Sequence, residues 1–130
     1  MGRDSRGPAR RGWSAHEIDH DYSGDRDWNL NPEEAKDILD LLARMSKLDW
    51  REVKALSTHS KGGSRPLRHS QSVTSICTDA QRRLSDLEIV VDEVFRLRHG
   101  NLPRLWGYLS GAVFTIVWWD RNHRIYPTEP

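Results

Sequence analysis

The chain has one cysteine, Cys77, in 130 residues. A lone thiol excludes an internal disulfide framework and a multi-cysteine zinc site, and it points to a reducing, cytoplasmic setting. Long apolar runs are missing too. The longest, Ala112 to Trp119 with Thr115 inside it, falls well short of the roughly 18 residues a membrane span needs, so no membrane is expected as a partner. The opening Met-Gly-Arg-Asp-Ser-Arg lacks the apolar stretch of a secretory signal. No Gly-x-Ser-x-Gly, P-loop or Gly-x-Gly-x-x-Gly occurs, which removes support for acyl-hydrolase, nucleotide-hydrolase and dinucleotide chemistry. Nor does one charge dominate, since 20 Lys and Arg face 19 Asp and Glu for a formal +1.

Tryptophan is what the chain has in excess. Six Trp are too many for a wholly disordered protein, although only 36% of residues are hydrophobic and 30% are charged. A core of ordinary size fits once into this length. Residues 1–28 mix Gly, Ser, Arg and Asp with isolated Trp13, Ile18 and Tyr22 and follow no apolar period, so they read as a disordered leader. Residues 29–130 read as a single α+β domain.

The near-zero net charge conceals segregation. Residues 1–12 carry four Arg against one Asp, and residues 13–37 carry eight acidic groups against Arg26 and Lys36. Residues 57–77 carry Lys61, Arg65 and Arg68 with no acid, and His59 and His69 sit among them. A basic, glycine-containing loop of this kind suits phosphate contact or is a solvated surface loop that happens to be basic, and the charge segregation motivates the hypothesis that the acidic leader folds back over it.

Order is expected to begin at Asn31-Pro32-Glu33-Glu34, where Asn caps a helix, Pro suits its first position and the second Glu completes a capping box. Ala35, Ile38, Leu39, Leu42 and Met45 then form one apolar face. A second, short helix is expected over Trp50, Val53 and Leu56, followed by an irregular loop from Ser57 to Ser72 broken by Gly62-Gly63 and Arg65-Pro66. Val73, Ile76, Cys77, Ala80, Leu84 and Leu87 keep helical spacing for a third helix, with Thr78 and Gln81 as its capping box.

The last forty residues alternate instead. Asp92 to Arg98 predicts a strand with one wet face, Glu93, Phe95 and Leu97 lying on one side and Val94, Arg96 and Arg98 on the other. Arg104 to Leu109 predicts a second strand, Ser110-Gly111 a hairpin turn, and Ala112 to Trp119 a strand covered on both faces. The expected architecture is therefore N-terminal helices packed on a C-terminal antiparallel meander of three to four strands.

His16-Glu17-Ile18-Asp19-His20 matches the H-E-x-x-H pattern, in which two His one helical turn apart hold zinc beside a Glu base. With no apolar face around it and Gly24 close behind, the match reads as chance, and neither a metal nor a cofactor is expected. Cys77 reads as a small core hydrophobe. What remains is a cationic and aromatic set: Arg96, Arg98, Arg104, Trp106 and Tyr108 from one strand face, with His123, Arg124 and Tyr126 near the C-terminal end. Arg binds phosphate and aromatics stack on unpaired bases, which suits RNA. The same set suits metal-free phosphodiester cleavage, with His or Tyr moving protons and Arg neutralising the phosphoryl oxygens. Alternatively, the aromatics pack the core and the Arg side chains solvate the sheet.

Val94-Phe95-Arg96-Leu97-Arg98, Arg104-Leu105-Trp106-Gly107-Tyr108, Val113 to Asp120 and His123-Arg124-Ile125-Tyr126 together resemble the meander of RelE/ParE-type toxins of bacterial toxin–antitoxin systems, over residues 91–127. The Trp-Trp-Asp…His…Tyr-Pro ending is also similar to that of a small uncharacterised bacterial family. The toxin resemblance implies a ribosome-associated mRNA endoribonuclease or, in the ParE branch, a gyrase inhibitor, silenced by an antitoxin protein. It implies Arg104, His123 and Tyr126 as the catalytic groups. Lys61, Arg65, Arg68, His69, Arg96, Arg98 and Arg124 are the nucleic-acid-binding candidates beside them. A non-catalytic nucleic-acid or protein-binding module using the same face is the alternative. Three features depart from the toxin pattern: no strand is legible ahead of the helices, a third helix precedes the meander, and the leader is acidic.

Overall fold

A computed structural model describes residues 12–46, 57–60, 63–66, 68–100 and 102–127. Helix α1, Pro32–Met45, starts as expected: Asn31 Oδ1 accepts from the Glu34 N–H at 2.8 Å and Glu34 Oε1 accepts from the Asn31 N–H at 3.1 Å. Its buried stripe is Ile38, Leu41, Leu42 and Met45, at steps of three, one and three. Leu39, expected inside, is exposed, because Leu41 takes the core position on the stripe.

Among the described residues seven strands accompany it: β1 Gly12–Ser14, β2 Ser57–Ser60, β3 Gly63–Pro66, β4 Arg68–Ser72, β5 Glu93–Arg98, β6 Arg104–Ser110 and β7 Val113–Asp120. A 3-10 turn at Val73–Ser75 and helix α2, Thr78–Asp86, separate β4 from β5. The main sheet runs β1-β7-β6-β5-β4, with β4 to β7 successively antiparallel and β1 parallel to β7, while β2 and β3 form a separate hairpin.

The α+β class holds, and its expected arrangement is corrected. One strand precedes the first helix and another precedes α2, so the helices do not all lie ahead of the sheet, which is mixed and five-stranded. The stretch Ser57–Ser72, expected to be irregular, carries β2, β3 and β4; their Ser, Thr, His and Gln residues lack the apolar alternation that reveals strands. The third helix is shorter than expected. Cys77 is its N-cap without a side-chain cap bond, and Gln81 Nε2 donates to the Ile76 carbonyl at 2.8 Å, so Thr78 and Gln81 form no capping box. The expected second helix over Trp50–Leu56 lies outside the described residues.

The leader is corrected as well, from residue 12 onward. Besides β1, it buries Asp19 and Arg26. The Asp19 carboxylate accepts from Arg83 at 2.7 and 2.8 Å and from the Trp118 indole at 3.0 Å, and Arg26 reaches Asp79 at 2.7 Å. These polar groups, rather than an apolar period, tie the segment down. Its acids pair with Arg83, Arg121 and Arg124, and not with the described part of the basic loop.

The sheet separates two apolar clusters. On one face Phe95, Leu97, Leu105, Phe114, Ile116 and Trp119 pack against α1. On the other, Val94, Trp106, Val117 and Trp118 pack against Ile76, Ala80 and Leu84 at α2, together with Ile125 beyond β7.

Candidate functional site

Strand register assembles the cationic set. Arg98 stands opposite Arg104, and Arg104 opposite Asp120, in one row across β5, β6 and β7. One step along, His69, Arg96, Trp106 and Trp118 form the next row. Alternation puts both rows on the α2 face. The three arginines are buried, with Arg96, Arg98 and Arg104 at 2%, 3% and 0% exposure, so they neither solvate the sheet nor present an open cationic face. The physical reason is position: β5 is an inner strand, flanked by β4 and β6, and the turn after β7 brings His123 against its arginines.

Burial first, then the neighbouring Arg98 and Arg104, lowers the Arg96 pKa to about 9. His123 is half-buried. The Arg104 Nη2 donates to its Nε2 at 3.4 Å, a contact that requires Nε2 unprotonated. Burial and then Arg104 lower its pKa to about 4, with Asp120 opposing and Arg98 and Arg96 adding to the fall. The imidazole is therefore neutral at pH 7. His69 is lowered for the same reasons, burial first and then Arg96 and Arg68.

The His123 backbone has φ 55°, in the left-handed region that side-chain-bearing residues rarely adopt. Asp120, fully buried, holds the turn: its carbonyl accepts from the His123 N–H at 3.3 Å, and its carboxylate accepts from the N–H groups of Arg124 and Ile125 at 2.9 Å each. Asp120 was not singled out from sequence. The available signal was an acid closing an apolar strand directly before a tight turn.

The remaining candidates spread out. Arg68 lies on the opposite face, its guanidinium 5.3 Å from the centre of the Phe95 ring. Arg124 is exposed and 3.6 Å from Asp25. Tyr126 packs, half-buried, against the cluster of Ile76, Leu84 and Trp118. Arg65 lies in β3 opposite Thr58, its side chain outside the described set, and Lys61 is outside it altogether. Trp106 and Trp118 are core residues and Tyr108 packs on their cluster, so the two tryptophans are not an open stacking platform. The His16–His20 segment forms no helix, and among the described residues no three His, Cys, Asp or Glu side chains cluster to hold a metal ion. No helix among them is long and apolar enough to cross a membrane. Cys77 is partly buried against the α2 cluster.

Compared with protein-family models, with curated proteins and with solved structures, the chain matches none.

Proposed function

We propose that this is an RNA-directed, toxin-like protein acting in the cytoplasm, which cleaves phosphodiester bonds without metal at the Arg104–His123 end of the sheet. The observation that carries the proposal is the neutral His123 imidazole, 3.4 Å from the Arg104 guanidinium and faced by Arg96 and Arg98. The resemblance to RelE/ParE-type toxins supports it further, since β1 ahead of α1 supplies a strand of the kind that was not legible in the sequence.

The chemistry follows from the charges. A phosphodiester docking at the half-buried His123 draws Arg104 onto its oxygens, which frees Nε2 and weakens the cationic field that holds the imidazole pKa down. His123 then takes the 2′-OH proton, the 2′-oxygen attacks the adjacent phosphorus, and the 5′-oxygen leaves with a proton from water. The products are a 2′,3′-cyclic phosphate and a 5′-hydroxyl end. Arginine stabilises the charge that builds on the phosphoryl oxygens.

The test is incubation of purified protein with mRNA, with and without ribosomes. Cleavage is expected to leave cyclic-phosphate ends and to fall by about 100-fold in His123→Ala, the scale of a lost general base. No cleavage, or cleavage indifferent to His123→Ala and Arg104→Ala, would overturn the catalytic assignment. The near-complete burial of the three arginines favours a second reading, a non-catalytic module. That module predicts RNA binding that weakens steeply with salt while transcripts stay intact. A ParE-like gyrase inhibitor, in contrast, would arrest growth with neither RNA cleavage nor RNA binding. An antitoxin protein is the partner expected for either toxin.

A further inference from the structure

We infer that Asp120 is the positioning residue of this site, shaping the 121–125 turn so that the His123 imidazole stays against Arg104 while Asp120 itself touches no substrate. The functional consequence rests on the assignment of His123 above; the geometry does not.

Three consecutive backbone N–H groups, those of His123, Arg124 and Ile125, end on this one residue. A backbone carbonyl would be available from any residue, but the two bonds at 2.9 Å need a side chain with two acceptor oxygens on a short stem. Asp120 is fully buried, so water cannot replace those bonds. The far end of the turn is pinned as well: Ile125 is fully buried and its carbonyl accepts from the Cys77 N–H at 2.9 Å. His123 lies between these two anchors, in a conformation that it would leave if one anchor loosened. The anchor and its target share a row, because Asp120 is the cross-strand partner of Arg104. Both carboxylate oxygens are occupied by backbone donors, which suits a role in geometry rather than in proton exchange.

Two roles for Asp120 give opposite signs in one measurement. Among the described residues, the charged groups acting on His123 are Arg104, Arg98 and Arg96, which disfavour its protonation, and Asp120, which favours it. If Asp120 acts only through its negative charge, Asp120→Asn lowers the His123 pKa below its value of about 4. If Asp120 positions the turn, Asp120→Asn lets the imidazole swing away from the arginines into water, and the pKa rises toward the ordinary 6.5.

The experiment is an NMR titration of the imidazole resonances in the full chain and its Asp120→Asn variant, with the His123 signal assigned by its loss in His123→Ala. A rise toward the ordinary value is expected, and an unchanged or lowered pKa overturns the inference. Should Asp120→Asn fail to fold, amide exchange in the unmodified protein decides. Protection of the Arg124 and Ile125 amides by at least about 100-fold is expected of buried, bonded N–H groups, and free exchange overturns the inference. If the pKa rises in Asp120→Asn but the unmodified protein leaves RNA intact, the positioning stands and only the nuclease assignment fails. If RNA is cleaved but the pKa does not rise, the reverse holds.

Discussion

Arg96, Arg98 and Arg104 place three guanidiniums on a sheet face that shows almost nothing of them to water, and the imidazoles beside them respond by staying neutral. This has a consequence for stability. The folded His123 has a pKa of about 4 against an ordinary 6.5, so between those values the unfolded chain binds a proton that the folded chain refuses. Stability is therefore expected to be level between the ordinary imidazole range and about pH 9, where Arg96 begins to titrate, and to fall as pH drops through the imidazole range, before the depressed carboxylates of Asp19, Asp27, Glu34 and Asp79 begin to protonate. His123→Ala should flatten most of that upper slope, with His69 responsible for what remains. Urea midpoints at several pH values check this, and an unaltered slope in His123→Ala would contradict it. At this scale the sequence was partly informative. Period-two alternation put Arg96 and Arg98 on one side of a strand with Arg104 on the next, whereas the burial of that side depends on strands and a turn distant in sequence.

At the scale of elements, β6 and β7 are joined through an irregularity. Register passes from Trp106 opposite Trp118 to Gly107 opposite Ile116, which leaves Val117 as the extra residue of a bulge. Its carbonyl accepts from the Asp19 N–H at 3.1 Å and from the Trp28 indole at 2.9 Å, so the bulge also anchors the N-terminal segment. Gly107 permits the close approach, since a Cβ there would overlap the Thr115 carbonyl oxygen and lie 2.9 Å from the Phe114 ring. Gly107→Ala is expected to destabilise the protein by about 3 kcal/mol or more, because backbone and a buried ring must both move. A urea midpoint within error of the parent would refute this. Helix α1 was legible to its capping box because its signals are local. Strands β2 to β4 were not, because their pairing rather than their side chains makes them strands.

For the molecule as a whole, the N-terminal segment completes the sheet instead of trailing from it. β1 covers the start of β7, Asp19 and Trp28 take up the Val117 carbonyl, and Arg121 bonds the Asp27 carbonyl at 3.0 Å and the Glu34 carboxylate at 2.7 Å. Deleting residues 1–30 would strip the partners from Arg83, Asp79 and the buried Trp118 indole and open the β7 edge to pairing with other chains. We expect that deletion to abolish cooperative unfolding and to produce aggregation on size-exclusion chromatography. A monomer that unfolds cooperatively at the parent temperature would show the segment to be dispensable.

From sequence alone came the lone cysteine, the α+β class, helix α1 and the three strands of the apolar meander, because composition, caps and periodicity are properties of neighbours along the chain. Tertiary structure decided that residues 12–28 supply a strand and a buried ionic anchor, that the arginine face is closed, and that Asp120 and His123 meet Arg104. Those outcomes depend on hydrogen bonds and charges between residues far apart in sequence, 99 positions for Asp19 and Trp118, and such pairings leave no local pattern to read.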